Sequence, residues 1–414
     1  MNAVAPERAE VVVVGAGLAG LAAATVLANA GRDIVLIEAS DDVGGRVRTD
    51  EVDGFLVDRG FQVLLTAYPE VDRQLDRAAL RLRAFEPGAL VRIGERFHAV
   101  GDPFRQPGRL LSTAAAPVGS PVDKLRLLAL RRRLRATPVP QLLRGEDVDT
   151  ADALRQDRFG RAMIDRFFRP LVGGIQLDPG LKASRRMFDT IFRTLSEGDA
   201  AVPAAGMGAI PRQVASRLHP RRLHLDCPAI RIEPGKVTVA GDRAIAADRI
   251  VVATEGPSAS HLLGLPPVAS RPATCVWFAT DRPPTDSRLI VLDGTGTGPA
   301  LNVAVVSNVA PEYAPAGWAL VAAACPGIAE ADIEPAVRRQ LRHWWGGQVD
   351  EWRHLRTHVI AHGQPDQRPP FSPKQRVALG DGLFVCGDHR DTASIQGAMF
   401  SGRRCGEAVV ASLA

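Results

Sequence analysis

The chain has 414 residues, 46% of them hydrophobic and 23% charged, a composition that excludes disorder, collagen, coiled coil and a disulfide scaffold. Its net charge of +5 comes from 51 basic and 46 acidic residues. Because no nucleic-acid-binding motif accompanies this charge, nucleic acid is not expected as a partner. Five scattered cysteines, no signal-peptide pattern and no apolar run of membrane length predict a soluble, cytoplasmic protein of two or three domains.

The first elements along the chain predict a βαβ unit. Residues 11–14 are four valines, which is typical of a buried strand in a parallel sheet. Residues 21–30 are rich in alanine and leucine and predict a helix that Gly31 ends. Residues 33–38 predict a second strand. Strand, loop, helix and strand in this order form the core of nucleotide-binding α/β domains.

The loop between the first strand and the helix predicts a dinucleotide site. Gly15, Gly17 and Gly20 have the G-x-G-x-x-G spacing. The first glycine permits a tight turn, the second lets a pyrophosphate approach the backbone, and the third lets helix and strand pack closely. Glu38 ends the second strand, where a carboxylate can bind a ribose hydroxyl. The predicted contacts in this unit are Gly15, Ala16, Gly17, Leu18, Ala19, Gly20, Glu38 and Ala39.

The rest of the chain predicts a second domain inserted into the first. Residues 105–200 contain helical patterns broken by proline and glycine and predict a helical cap. Strand patterns return after residue 223, in a strand-rich block over 274–325, and again in the tail before a final helix. The fold class is therefore α/β: a discontinuous dinucleotide-binding domain of residues 8–66, 203–256 and 376–414, and an α+β substrate domain of residues 67–202 and 257–375.

The sequence Gly44-Gly45-Arg46-Val47-Arg48-Thr49 resembles the GG-R-x-R-T element of the flavin-containing amine oxidoreductase superfamily. The resemblance implies a Rossmann-like domain that binds FAD, with the two glycines close to the pyrophosphate and the two arginines beside the cofactor. An arginine fork suits a diphosphate because it donates several fixed hydrogen bonds. The resemblance also implies that Gly60, Phe61 and Gln62 lie along the isoalloxazine ring and that Ala229, Ile230 and Thr254 lie toward the adenine.

The tail resembles the closing FAD motif of the same superfamily. Cys386-Gly387-Asp388 ends a predicted strand, and Ser394-Ile395-Gln396-Gly397 opens a predicted helix. The resemblance implies that Asp388 binds the ribityl chain and that the helix start faces the flavin, where its amides stabilise negative charge. Residues 371–376 lack the cysteine through which some amine oxidases attach their flavin, so non-covalent FAD is expected. The implied contacts are Gly387, Asp388, Ser394, Ile395, Gln396 and Gly397.

Several sequence segments that are present, and one motif that is missing, indicate the substrate class. Segments 57–63, 168–174 and 203–211 resemble the phytoene-desaturase and protoporphyrinogen-oxidase branch, whereas the Pro-Trp element of amine oxidases is missing. The resemblance implies dehydrogenation of an apolar, isoprenoid-like substrate by hydride transfer to flavin N5. No second dinucleotide loop is predicted, because the glycines at 294–298 precede a strand and fit a hairpin turn. The electron acceptor is then dioxygen, a quinone or a redox protein.

Three alternative functions remain, and the roles of several single residues are not settled by the sequence. The alternatives are an amine or amino-acid oxidase, an isomerase that uses reduced flavin, and a non-catalytic FAD-binding protein. Gln62 is a weak catalytic candidate, and no general base is named. The histidines at 354, 358 and 362 lack completing ligands, so no metal site is expected. The basic amphipathic helix over 124–135 either packs its leucines on the cap or contacts a membrane peripherally.

Overall fold

Two large β-sheets organise the computed structural model, which describes residues 5–102 and 104–414. The first four residues of the stretch searched for a signal peptide lie outside this range. The strands are β1 (Arg8–Val14), β2 (Ile34–Ile37), β3 (Thr49–Val52), β4 (Phe55–Asp58), β5 (Leu64–Leu65), β6 (Leu82–Ala84), β7 (Gly88–Ile93), β8 (Arg96–Gly101), β9 (Ala200–Pro203), β10 (Leu223–His224), β11 (Ala229–Glu233), β12 (Lys236–Val239), β13 (Arg243–Val252), β14 (Ser270–Thr280), β15 (Ile290–Asp293), β16 (Asn302–Val305), β17 (Ala319–Pro326), β18 (Arg353–Pro365), β19 (Ala378–Gly380) and β20 (Leu383–Val385).

Helices cover both sheets and form a separate cluster between β8 and β9. They are α1 (Leu18–Asn29), α2 (Pro69–Gln74), α3 (Arg77–Leu80), α4 (Leu110–Ala115), α5 (Pro121–Ala136), α6 (Val139–Leu142), α7 (Thr150–Gln156), α8 (Arg161–Met163), α9 (Arg169–Ile175), α10 (Arg185–Glu197), α11 (Ala209–Ala215), α12 (Gly256–Leu263), α13 (Val306–Val309), α14 (Glu334–Trp345) and α15 (Ile395–Ser412). A π-helical turn, Ile164–Phe168, joins α8 to α9.

The first sheet is the predicted nucleotide-binding sheet. Strands β10, β2, β1, β13 and β20 run parallel, and β12 and β11 extend the sheet from β13 as antiparallel strands. The valines of β1 are buried on both faces, as expected for a strand covered by helices on either side. Every strand of this sheet falls within the residue ranges predicted for the discontinuous domain, so the predicted Rossmann-like architecture is confirmed.

Helices α1 and α15 pack so closely that their backbones touch. A Cβ added at Gly402 would lie 2.0 Å from the carbonyl oxygen of Ala19, and one added at Gly406 would lie 2.9 Å from that of Ala23. Since the two glycines are one helical turn apart, they form a smooth strip along α15 that fits the alanines of α1. This packing brings the amino-terminal ends of both helices to the same edge of the sheet.

The second sheet has the order β18-β14-β17-β16-β15-β7-β8, with β15 and β7 parallel and the other pairs antiparallel. The predicted hairpin turn at 294–298 is confirmed, because it connects the antiparallel strands β15 and β16. The histidines at 354, 358 and 362 lie on β18 rather than on a helix, and their side chains bond to three different partners. Within residues 5–102 and 104–414, no group of metal-binding side chains is found.

The helical cap packs on this second sheet around a cluster of phenylalanines. Phe168 is fully buried and makes edge-to-face contacts with Phe159, Phe167 and Phe188. Apolar residues of α5, α7, α9 and α10 share a core with β7 and β15. The predicted helical character of residues 105–200 is thus confirmed. Across the described part of the chain, no helix combines the length and apolarity that crossing a bilayer requires.

Candidate functional site

A cavity of about 1150 Å³ extends from the glycine loop after β1, past the second sheet, to the cap helices α4 and α5. Its inner end lies where the carboxyl ends of the parallel strands meet the starts of α1 and α15. In open α/β sheets this edge is where ligands bind, because helix amides and loop backbones converge there. The cavity therefore has two parts, which we name by their walls: the nucleotide end and the cap end.

The glycine loop has the geometry that a pyrophosphate requires. Gly15 has φ +103°, and a Cβ added at Gly20 would lie 1.8 Å from the Gly15 carbonyl oxygen, so both positions exclude a side chain. A Cβ at Gly17 would meet no atom within 4 Å, because that position opens into the cavity. Gly17 is also the N-cap of α1 and has no side chain to satisfy the first amides of the helix. The loop thus fits an anion held by backbone amides.

Glu38 fixes this loop from the end of β2. One carboxylate oxygen accepts a 2.7 Å hydrogen bond from the Ala16 amide, and the other accepts from the amide and hydroxyl of Ser40. The side chain also lines the cavity, as does the neighbouring Ala39. The carboxylate predicted to meet a ribose therefore also positions the backbone of the glycine loop.

The Gly44-Gly45 loop is bonded directly onto the glycine loop. The Gly44 amide donates to the Ala16 carbonyl at 2.9 Å, and Gly44 and Gly45 have φ +115° and +58°. A Cβ at Gly44 would lie 2.3 Å from the Val47 carbonyl oxygen. Both glycines line the cavity. Two distant sequence motifs therefore form one backbone surface.

Arg46 and Asp388 meet across the cavity although 342 positions separate them in sequence. The guanidinium donates to the Asp388 carboxylate at 2.8 Å and to the Gly363 carbonyl at 2.7 Å. Burial opposes the charge of Arg46, but the carboxylates of Asp388 and Glu255 outweigh it and raise the pKa of the guanidinium. Two residues predicted from separate motifs are brought together, and a fixed cation lies where a diphosphate could bind.

The side-chain amide of Gln62 is hydrogen-bonded to backbone carbonyls and is therefore not free to act as a catalytic group. Its amide nitrogen donates to the carbonyls of Arg46 at 2.8 Å and of Arg59 at 3.2 Å. Beside it in the cavity wall, Phe61 and Phe85 pack edge to face with their centroids 6.1 Å apart. Sequence analysis did not identify Phe85 or a further aromatic cavity residue, Tyr68. Burial raises the pKa of the Tyr68 hydroxyl to about 12, so it stays protonated at neutral pH.

The start of α15 reaches the cavity through its backbone and through Ser394 and Ile395. Ser394 caps the helix by accepting from the Gly397 amide at 3.0 Å. The side chain of Gln396 points to α2, where its oxygen accepts from the Glu70 amide at 2.9 Å. Ser394 and Ile395 therefore line the cavity, whereas the side chain of Gln396 is turned toward α2.

Most of the predicted cofactor residues line one cavity. They are Gly15, Gly17, Leu18, Ala19, Glu38, Ala39, Gly44, Gly45, Arg46, Gly60, Phe61, Gln62, Thr254, Gly387, Asp388, Ser394 and Ile395. Arg48 is turned away from the cavity and forms an ion pair with Asp41 at 2.8 Å. Ala229 and Ile230 lie on β11, at the edge of the first sheet. The predicted residues outside the cavity wall are Ala16, Gly20, Arg48, Ala229, Ile230, Gln396 and Gly397.

The part of the cap-end wall built by α9, α10 and strands β14 to β18 carries no charged side chain. In the described chain, no aspartate, glutamate, lysine, arginine or histidine from α9, α10 or strands β14 to β18 faces the cavity. The polar side chains from these elements are Thr274, Asn302, Gln364 and Ser196, and the others are aliphatic, aromatic, cysteine or glycine. No motif marked this wall in the sequence, because it is assembled from single residues of many elements. A charged group bound there would lose its hydration without gaining a counter-ion.

Charged residues return at the outer opening, where they pair with each other. Arg131 lies 3.1 Å from Asp102, Arg109 lies 2.6 Å from Glu86, and Arg105 pairs with Asp199. Lys124 donates to the Ala116 carbonyl at 2.8 Å and closes the end of α4. These pairs hold α4 and α5 beside the strands that end at the opening.

A buried carboxyl group at the end of β4 is held by three hydrogen bonds. Asp58, at the end of β4, accepts from the hydroxyl of Thr49, the amide of Met207 at 2.9 Å and the hydroxyl of Tyr313 at 2.9 Å. Burial raises the pKa of this carboxyl to about 6, and the three hydrogen bonds oppose the rise. A second buried group, His389, has its pKa lowered to about 4 by burial. Neither side chain lines the cavity.

Comparison with known proteins identifies a family and a fold. The sequence profile described as flavin containing amine oxidoreductase matches residues 18–410. Protoporphyrinogen oxidase 2 of Arabidopsis thaliana is 27% identical over 196 residues, which cover 44% of this chain and 35% of that protein. A candidate protoporphyrinogen oxidase of Exiguobacterium sp. 255-15 has the same fold, with a TM-score of 0.74, 18% identity and coverage of 99% and 100% of the two chains. Cyclohexylamine oxidase of Brevibacterium oxydans IH-35A gives a TM-score of 0.70 at 16% identity, with 99% and 100% covered.

Proposed function

The chain belongs to the flavin-containing amine oxidoreductase family, and from this premise we propose that it is an FAD-dependent oxidoreductase that dehydrogenates a large, mainly apolar substrate. The proposal joins a nucleotide end of the cavity, built from backbone loops, to a cap end in which the wall of α9, α10 and strands β14 to β18 has no charged side chain. An isoprenoid-like compound belongs to this substrate class, and a porphyrinogen belongs to it through its apolar macrocycle, with its propionate carboxylates at the cations of the outer opening, Lys124 and Arg131. The second is the one named by the protoporphyrinogen oxidase relative.

The uncharged wall of the cap end carries the proposal. An amine or amino-acid substrate arrives as an ion, and it would need an opposite charge on the wall to offset lost hydration. Apolar residues such as Leu171, Ile175 and Phe192 instead gain free energy by covering apolar surface, about 25 cal/mol for each Å² removed from water. The amine or amino-acid oxidase alternative lacks this support.

The residues of the nucleotide end fit FAD in three ways. Open space at Gly17 and the uncapped start of α1 suit a pyrophosphate, and Arg46 supplies a fixed cation next to it. Asp388 and the backbone at the start of α15 would hold the ribityl and ring portions. Bound FAD supplies the hydride acceptor, and the protein binds the substrate, orients it and excludes water. Gln62 keeps the Arg46 loop in position and is proposed as a positioning residue.

The remaining details of the proposal follow from the chain itself. FAD is bound non-covalently, since residues 371–376 contain no cysteine. The electrons pass on to dioxygen, a quinone or a redox protein. We place the protein in the cytoplasm because its five cysteines are free and buried, as is usual in a reducing compartment.

The absorption spectrum of the purified protein, taken before and after acid precipitation, is the first test. Flavin bands that move into the supernatant on precipitation are the expected result, and yellow colour left in the pellet would contradict non-covalent binding. Anaerobic bleaching of the flavin is then followed with an isoprenoid, a porphyrinogen, an alkylamine and an amino acid. Bleaching by the apolar compounds alone supports the proposal.

Three outcomes would replace the proposal with its alternatives. Bleaching by the alkylamine or amino acid, with no response to apolar compounds, would make the chain an amine or amino-acid oxidase. Turnover that starts only after chemical reduction and leaves the flavin spectrum unchanged would indicate an isomerase. Flavin that no compound reduces would favour a non-catalytic FAD-binding protein.

A further inference from the structure

Exposed apolar side chains are concentrated around the outer opening of the cavity. Of the eight large hydrophobic residues that are exposed in the described chain, five lie between residues 104 and 125. Leu111 on α4 is 83% exposed and Leu125 on α5 is 66% exposed. We call these five residues the apolar rim: Phe104, Leu110, Leu111, Val122 and Leu125.

The rim is one continuous surface because α4 and α5 are tied together at the opening. Lys124 of α5 donates to the Ala116 carbonyl, just past the end of α4. The Arg131 guanidinium lies 4.5 Å from the ring centroid of Phe104, which holds that ring against α5. Leu110 and Leu125 also line the cavity, so the rim continues into the apolar wall.

Positive charge is concentrated on the same segment. Residues 104–135 contain eight arginines and lysines and one acidic residue, so their net charge is 8 − 1 = +7. Five of these cations pair with carboxylates, four of them outside the segment, and the three without an acidic partner among the described residues are Lys124, Arg132 and Arg135. The whole chain has a net charge of +5, so the remaining residues together carry 5 − 7 = −2. Arg132 and Arg135 are exposed and form no ion pair within the described residues. Exposed leucines bordered by arginines are typical of a surface that lies on an anionic bilayer.

We propose that the apolar rim and the basic residues of 104–135 dock the protein on an anionic lipid bilayer, with the cavity opening facing the lipid. The inference deepens the proposed function and rests on it only for the identity of the molecule that enters. The rim inserts into the interface, and the arginines bind lipid headgroups. A neutral partner surface would not match the charge, and a soluble acidic partner would not match the exposed leucines.

Vesicle sedimentation of the FAD-loaded protein tests the docking surface. Equal parts of phosphatidylglycerol and phosphatidylcholine form the anionic vesicles, and phosphatidylcholine alone forms the neutral ones. We expect the protein to sediment with the anionic vesicles and to be released by salt, because screening weakens the headgroup contacts. Protein that stays in the supernatant with both kinds of vesicle at low salt would overturn the proposal.

Matched variants locate the contact. In Leu111→Glu/Val122→Glu both substitutions are on the rim and neither residue lines the cavity, so FAD content and turnover of detergent-dispersed substrate are expected to stay normal. Vesicle affinity should fall about tenfold or more, because two apolar side chains no longer insert. Arg132→Gln/Arg135→Gln should weaken binding about fivefold per charge. Val359→Glu, at an exposed valine on β18, is the control and should bind like the wild type.

The outcomes separate docking from the proposed reaction. Equal loss of binding in Val359→Glu and in the rim variant, or full binding by the rim variant, would overturn docking through the rim. Binding abolished by the arginine variant but unaffected by the rim variant would show a purely electrostatic contact and would also overturn it. Protein that docks through the rim but is reduced by no apolar compound would contradict the proposed reaction and leave the docking surface in place.

Discussion

The two ends of the cavity are built in different ways. The nucleotide end consists mainly of backbone atoms, held in shape by glycines whose replacement would bring a Cβ within 1.8 to 2.3 Å of a carbonyl oxygen. The wall of the cap end that α9, α10 and strands β14 to β18 form consists mainly of apolar side chains from many elements, with a few neutral polar ones and no charged one. A backbone surface tolerates almost no change, whereas an apolar wall can be repacked. The glycine positions form a recognisable motif because each has a steric requirement, whereas the apolar wall has no such requirement and shows no motif in the sequence.

The largest expected effect comes from two glycine variants that should fail in different ways. Gly20→Ala places its Cβ 1.8 Å from the Gly15 carbonyl oxygen, so the protein should lose stability and FAD together. Gly17→Ala meets no protein atom, so the FAD-free protein should melt like the wild type and still fail to bind FAD. Melting curves and flavin content measure both. Normal FAD content in Gly17→Ala would show that the pyrophosphate does not approach this position.

Arg46→Ala tests whether a single side chain contributes to FAD affinity at the nucleotide end, which consists mainly of backbone atoms. The variant removes a charge-assisted donor and leaves the buried Asp388 without its partner, so the dissociation constant for FAD should rise about tenfold to a hundredfold. Titration of the FAD-free protein with FAD gives the constant. Arg8→Ala, which removes an exposed ion pair with Asp248, is the control. An unchanged constant in Arg46→Ala would mean that the arginine only braces the loop.

Asp58 joins the two halves, since Thr49 and Met207 belong to the nucleotide side and Tyr313 to the other. Its pKa is raised from 3.8 to about 6, so the folded chain keeps this proton to a higher pH than the unfolded chain. The free energy of unfolding should therefore fall by about 3 kcal/mol as pH rises from about 4 to about 6 and then level off.

Asp58→Asn removes this titration and provides the test of that slope. Urea unfolding across the same pH range should show a flatter dependence than the wild type, because the amide stays neutral. Asp281→Asn, at an exposed aspartate, should keep the wild-type slope. If Asp58→Asn also keeps it, another group accounts for the pH dependence.

The smallest effect is expected in the cap-end wall. Phe192→Leu keeps the wall apolar and changes its shape only slightly, so kcat/KM for the apolar substrate should change about threefold to tenfold. FAD content should stay at the wild-type level, because Phe192 packs against Phe168 and Phe188 in the cap and not against the glycine loops. Steady-state kinetics with flavin quantification measures both. A loss of FAD in Phe192→Leu would show that the two ends are not independent.

The sequence determined the elements that depend on local steric rules. The valines of β1, the glycines after it, Gly44 and Gly45 each need a particular backbone or burial, and that need can be read from residue type and spacing. For the same reason the resemblance to a flavin-dependent family could be stated from short segments. The hairpin between β15 and β16 was predictable because its turn is rich in glycine.

Only the tertiary structure decided which of these residues meet and which way they point. Arg46 contacts Asp388 because two loops from opposite ends of the chain meet at one edge of the sheet, a proximity that no local pattern encodes. Gln396 points to α2 and Arg48 to Asp41, because packing sets the rotation of a helix and the direction of a loop side chain. The uncharged wall and the apolar rim arise from single residues of separate elements. Local sequence fixes backbone geometry, whereas cavities and surfaces are formed by contacts between distant segments.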